Sequence, residues 1–128
     1  MEKLKQNYTS PRWSMEIPDC SMPMSMDTHS RCSYNCLYCF SFFQKSHTTK
    51  GYLTGQPRSV NPEKVIALFE NAAVNNTAAA NKTDVQFFKY IQDRRIMQWG
   101  GLADEFDEYE RRNGVTLELL RYFDKIDY

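Results

Sequence analysis

Residues 20–40 read Cys20-Ser21-Met22-Pro23-Met24-Ser25-Met26-Asp27-Thr28-His29-Ser30-Arg31-Cys32-Ser33-Tyr34-Asn35-Cys36-Leu37-Tyr38-Cys39-Phe40. The first seven residues alternate apolar and polar, broken only by Pro23. That is the period of a β-strand, and the proline assigns it to a sheet edge or a strand end. Three cysteines then fall within eight residues, at 32, 36 and 39. The loop that carries them extends from residue 27 to 60, through a stretch from Gln44 to Ser59 rich in Lys, Thr, Ser and Gly. A loop of this length inside a compact domain is a functional element or a mobile one.

Downstream, Asn61-Pro62-Glu63 is a helix start: Asn61 as N-cap, Pro62 at the first position, Glu63 favourable to the dipole. Val65, Leu68, Phe69 and Ala72 follow at i, i+3, i+4 and i+7, which predicts a helix to about Ala73. The stretch from Asn75 to Thr83 and the segment Val85–Gln92 give no decided period. Arg95-Ile96-Met97-Gln98-Trp99 reads as a second strand, ended by Gly100-Gly101. Phe106–Arg112 reads as a short helix closed by Gly114, and Thr116 as the N-cap of a last helix carrying Leu119, Leu120, Phe123 and Ile126. Strand, cysteine loop, helix, strand, glycine turn and helix make two βα units of a parallel sheet, an α/β chain. Residues 1–19, polar and holding Pro11 and Pro18, read as an N-terminal arm, and 20–128 as the structured domain. Two parallel strands give helices little to bury against, so the chain is expected to be a fragment or to complete its fold with a partner.

With 128 residues the chain suits one domain, and its 41% apolar and 25% charged content is that of a globular protein. No apolar run is long enough for a transmembrane helix, and Met1–Asn7 has no apolar segment behind it, so cytoplasm is the expected compartment. Residues 1–58 carry about +3 and residues 59–128 about −3, too mild a separation to announce a nucleic-acid surface. Clustered cysteines in a reducing compartment point to a metal or redox site rather than to disulfides. Spacings of four and three let one loop wrap a multi-iron body, and three thiolates leave one iron of a cubane without a protein ligand.

Cys32-x-x-x-Cys36-x-Tyr38-Cys39 resembles the cluster motif of the radical S-adenosylmethionine (SAM) superfamily, and Gly100-Gly101 after a strand resembles its glycine pair. The run Gly100-Gly101-Leu102-Ala103-Asp104-Glu105-Phe106 is similar to the branch containing spore photoproduct lyase, which often reads Gly-Gly-x-x-Asp-Pro-Phe. Glu105 stands here in place of that proline. The resemblance implies the N-terminal portion of a partial TIM-type barrel, with Cys32, Cys36 and Cys39 holding a 4Fe-4S cluster whose open iron chelates SAM. It implies that Gly100 and Gly101 accept hydrogen bonds from the SAM amino group and that Tyr38 lies near the adenine. Reductive cleavage of SAM would then give a 5′-deoxyadenosyl radical for hydrogen-atom abstraction. A flavodoxin- or ferredoxin-like electron donor is implied, and a DNA lesion is the nearest substrate. The family has about six βα units, of which two are visible, so the later strands or a partner chain would complete the site.

The competing readings are a non-enzymatic iron–sulfur or zinc module with Cys20 or His29 as fourth ligand, and an inactive fragment. Zinc sites usually need a second knuckle, and none follows. His29 and His47 read as surface or hydrogen-bonding groups, and the alternating methionines as core filling. Asp104, Glu105, Asp107, Glu108 and Glu110 read as a solvated helix start, and Trp99 as a residue of a barrel interior.

Overall fold

The computed structural model describes residues 2–13, 22–41 and 55–128. Cys20 and His47 lie outside them. The elements, in order, are β1 (Arg12–Trp13), β2 (Met24–Met26), α1 (Pro62–Ala73), α2 (Lys82–Val85), α3 (Phe88–Gln92), β3 (Gln98–Trp99), α4 (Glu108–Asn113) and α5 (Val115–Ile126). The chain is mixed α and β, and none of its described helices is long and apolar enough to cross a membrane.

Among the described residues the sheet has three strands in the order β1-β2-β3. β2 and β3 are parallel, Ser25 opposite Gln98 and Met26 opposite Trp99, as two successive βα units require. β1 is antiparallel to β2, with Arg12 opposite Ser25 and Trp13 opposite Met24. That strand lies in the segment read as an arm. Two residues are too few to show a period, so only the pairing reveals it. Tyr8 N–H donates to the Ser59 carbonyl at 2.9 Å and Leu4 N–H to Asn113 Oδ1 at 2.8 Å, which ties residues 4–8 to the domain.

Alternation along β2 sorts its side chains by face. Met24 and Met26 are fully buried in the helix-side core, with Phe69, Leu119 and Phe123. Trp99 shares that face as the register partner of Met26, and its ring meets Phe123 edge-on at 5.5 Å. It therefore packs on the helix layer, contrary to the barrel interior expected from sequence. Ser25 and Gln98 occupy the opposite face. Trp13, beside Met24, packs on Phe87 at 4.6 Å and on Tyr90 at 5.6 Å. Each large apolar side chain withdrawn from water here contributes about 1.5–3 kcal/mol.

α1 follows its expected bounds. Asn61 Oδ1 accepts from Lys64 N–H at 3.3 Å, Pro62 opens the first turn, and Val65, Leu68, Phe69 and Ala72 are buried. The undecided segment is two short helices. Asn81 caps α2 by accepting Asp84 N–H at 2.8 Å, and α3 buries Phe88, Tyr90 and Ile91 against α1. α4 ends on Gly114 at φ 68°, a left-handed position where glycine costs least. α5 starts directly on that glycine, so Thr116 is inside the helix and buried rather than its N-cap. The capping work falls to Glu110, which accepts from Thr116 N–H at 2.8 Å and Leu117 N–H at 2.9 Å.

Candidate site at the strand ends

Because β2 and β3 are parallel, the segments that follow them leave the same end of the sheet. From β2 the chain runs through Asp27 and Thr28 to the cysteines; from β3 it enters Gly100-Gly101. Gly100 N–H donates to the Met26 carbonyl at 2.9 Å, the last rung between the two strands. Gly100 has φ +74°, and a Cβ there would lie 3.2 Å from the Ala103 carbonyl oxygen. Any other residue would be strained at that turn. A Cβ on Gly101 would stand 2.9 Å from Ser25 Oγ, so the second glycine is required by close packing on the sheet.

Beyond that rung, carboxylates continue the pairing. Asp27 Oδ1 accepts Leu102 N–H at 2.7 Å, while Asp27 Oδ2 pairs with the Arg12 guanidinium at 3.2 Å. Glu105 Oε2 accepts Thr28 N–H at 2.8 Å and the Thr28 hydroxyl, and lies 3.5 Å from His29 Nδ1. Asp107 caps α4 through Tyr109 N–H at 2.8 Å and Glu110 N–H at 3.3 Å, and accepts Ser33 N–H at 2.5 Å. Thr28 Oγ1 also meets Thr116 Oγ1 at 2.7 Å. Glu105 and Asp107 are buried and so are not solvated as expected, whereas Asp104 is exposed and the partly exposed Glu108 and Glu110 do lie in the first turn of α4. The dipole argument explains Asp107, but it does not place Glu105 back against β2.

Burial pushes the Glu105 carboxyl above the ordinary glutamate range. Contacts with His29 and Thr28 N–H oppose that rise, and the nearby Asp27 charge adds to it. The phenol of Tyr8 is pushed up to about 12, by burial first and then by Asp27. A carboxyl whose pKa is raised on folding binds more protons in the folded chain than in the unfolded one. Its contribution to stability is complete below the unfolded glutamate pKa and is lost as pH rises through the folded value. Urea titrations should therefore show the parent gaining stability relative to Glu105→Gln as pH falls through that window. A pH-independent difference would deny the shift.

The three cysteines are free thiols: Cys32 buried, Cys39 partly buried and Cys36 exposed. Arg31 braces the root of their loop, donating to the Gly55 carbonyl at 3.3 Å and to Asn35 Oδ1 at 3.0 Å. Asn35 turns the chain at φ 50°, and Cys39 N–H donates to the Cys36 carbonyl at 3.1 Å. Leu37 and Tyr38, at the tip, are 101% and 89% exposed. The donor chemistry suits a thiolate-bound iron–sulfur centre. As placed, however, no three His, Cys, Asp or Glu side chains among the described residues form a group that could hold a metal ion. His29 is fully buried, not at the surface, with its Nδ1 3.2 Å from Thr28 Oγ1 and near Glu105, so of the two roles expected for it only hydrogen bonding holds.

The structure thus brings the glycine pair to the strand end that leads into the cysteine loop. The residues the sequence did not single out are Asp27 and Thr28, and Glu105 and Asp107, which it did name, turn inward rather than to solvent. Polar residues immediately after an apolar strand, and an acid where the resembling branch has proline, were the available signals. The chain matches no family model, no curated protein and no solved structure.

Proposed function

We propose that this chain is the N-terminal part of a radical SAM core, with Cys32, Cys36 and Cys39 as 4Fe-4S ligands and Gly100-Gly101 as a backbone cradle for SAM. The supporting observation is the parallel pairing of β2 with β3, which sends the cysteine loop and the glycine turn out of one end of the sheet. Ligand sites of parallel α/β sheets and barrels form at that end, outside the carboxyl ends of the strands.

When bound, the cluster supplies the electron for reductive cleavage of SAM, chemistry that belongs to the cofactors. The chain's own residues bind and orient. Cys32, Cys36 and Cys39 would hold the cluster through their thiolates, three protein ligands where a fully protein-bound cubane has four. Gly100 and Gly101 would offer their backbone carbonyls to the SAM amino group without intervening side chains. Tyr38 offers an aromatic face for the adenine. The exposed tip of the cysteine loop would gather its thiols on loading, since a metal must organise ligands that are apart without it. Further strands, from this chain's continuation or a partner, would shape a substrate pocket. A DNA lesion is the nearest substrate class, and the reductant a cytoplasmic flavodoxin- or ferredoxin-like protein.

The test is electron paramagnetic resonance on anaerobically reconstituted, reduced protein. The expected result is a cluster signal that changes on addition of SAM. A signal indifferent to SAM, in the chain and in one extended downstream, would reject the open iron in favour of a non-enzymatic cluster. Stoichiometric zinc with no cluster would reject both.

A further inference from the structure

We propose that Asp27, Glu105 and Asp107 are positioning residues that lock the root of the cysteine loop to the glycine turn, with Glu105 as the central clamp. The proposal deepens the radical SAM reading by stating what fixes the two halves of that site, yet its test needs no cofactor.

The argument starts from the end of the sheet. Parallel strands stay together only while their backbones run alongside one another, and the left-handed turn at Gly100 ends that. Two segments leaving a sheet end would ordinarily drift apart as independent loops. Here they remain joined in ascending order: Met26 to Gly100 by backbone, then Asp27 to Leu102, Thr28 to Glu105 and Ser33 to Asp107. Each of the last three bonds joins a backbone N–H of one segment to a side-chain carboxylate of the other. A side chain bridges a gap too wide for a backbone ladder, and a carboxylate accepts more strongly than a neutral group. Asp27 and Glu105 are 0% and 3% exposed, so water does not compete for their bonds.

Glu105 holds the middle of this series and does most to restrict it. One oxygen takes both the amide and the hydroxyl of Thr28 and faces His29. Its Cγ would be only 3.3 Å from a Cβ on Gly100, so it packs directly beneath the glycine turn. Proline at this position, as in the resembling branch, could accept none of these hydrogen bonds. Cys32 lies within the stretch so held, one residue before Ser33, and is buried, whereas Cys36 beyond it is exposed.

The experiment reads thiol alkylation in the metal-free chain, residue by residue by mass spectrometry, beside urea unfolding of the same variants. Among the three loop thiols of the parent, Cys36 should react first and Cys32 last. Glu105→Ala should raise the Cys32 rate at least about tenfold by easing local opening, at urea concentrations far below unfolding. Glu105→Gln keeps an acceptor for Thr28 N–H and should restore most of the protection. Hydrogen exchange on the parent is the second measurement, should Glu105→Ala not fold: the amides of Thr28, Ser33 and Leu102 should exchange slowly although they lie outside helices and strands. Unprotected amides there, or a Cys32 rate that rises only in step with global unfolding, would overturn the clamp. So would equal loss of protection in Glu105→Gln. Failure to bind iron in a chain that passes these tests would remove the radical SAM reading and leave the clamp standing.

Discussion

Replacing Cys36 by alanine is expected to leave the reconstituted chain with iron and sulfide near background, and Cys32→Ala and Cys39→Ala should do the same. Cys20→Ala should retain full loading. Under the proposal each of the three thiolates supplies the protein bond to one iron, and no spare thiol on the loop takes its place. Cys36 makes the cleanest case because it is exposed, so its loss removes little packing and should alter unfolding by no more than about 0.5 kcal/mol. Cys32 is buried, so its replacement adds a packing cost that must be measured separately. Bound iron, acid-labile sulfide and the urea midpoint of each variant are the measurements. Full iron in Cys36→Ala with an unchanged midpoint would exclude that thiol as a ligand. Loss of metal in Cys20→Ala would reveal a fourth protein ligand and favour the non-enzymatic module, since a fully ligated centre leaves no position for SAM.

The legible parts of the fold were those whose signal is local. Asn61, Pro62 and the Val65–Leu68–Phe69–Ala72 face specified α1 because cap, first-turn proline and apolar stripe agreed. Gly114 marked the end of α4 because only a left-handed turn uses a glycine in that way. β2 was legible from its alternation only over Met24–Met26, since residues 22–23 are not strand and Cys20 lies outside the described residues. Its parallel partner was legible from the βα order, though of the expected 95–99 only Gln98–Trp99 pair. What escaped reading depends on distant partners. β1 is two residues long and is defined by pairing with Met24 and Ser25. Thr116 looked like a cap because the sequence cannot say that Glu110, six residues earlier, already occupies that helix end. Glu105 looked solvated for the same reason: its partner, Thr28, is 77 residues away. At the candidate site, the cysteines and glycines were visible as motifs, and the carboxylates that join them were not. A motif shows which groups are present, whereas their mutual placement rests on contacts made in the folded chain.

Gly101→Ala tests whether the glycine pair serves packing alone or a ligand as well. The added methyl would meet Ser25 Oγ at 2.9 Å, closer than carbon and oxygen tolerate, with Gln98 Nε2 at 3.5 Å behind it. Ser25 is fully buried in β2, so its hydroxyl cannot swing into water, whereas the half-buried Gln98 amide can give way. Overpacking of this kind costs about 1–3 kcal/mol. Ser25 Oγ has no hydrogen-bond partner among the described residues, so Ser25→Ala removes an unsatisfied hydroxyl and should be neutral or mildly stabilising. Combined with Gly101→Ala, it also removes the clashing oxygen. Urea unfolding of the four chains should show the double variant recovering most of the loss, a coupling of about 0.5–3 kcal/mol. Additive effects would mean that the methyl is opposed by something other than Ser25. SAM binding then separates packing from ligand approach. In the double variant the fold is restored but the methyl remains on the backbone proposed to meet the SAM amino group, so SAM affinity should stay at least about tenfold below the parent, a penalty of about 1.4 kcal/mol. If affinity instead returns together with stability, Gly101 is a packing residue of the sheet end, and the glycine pair no longer supports a SAM site.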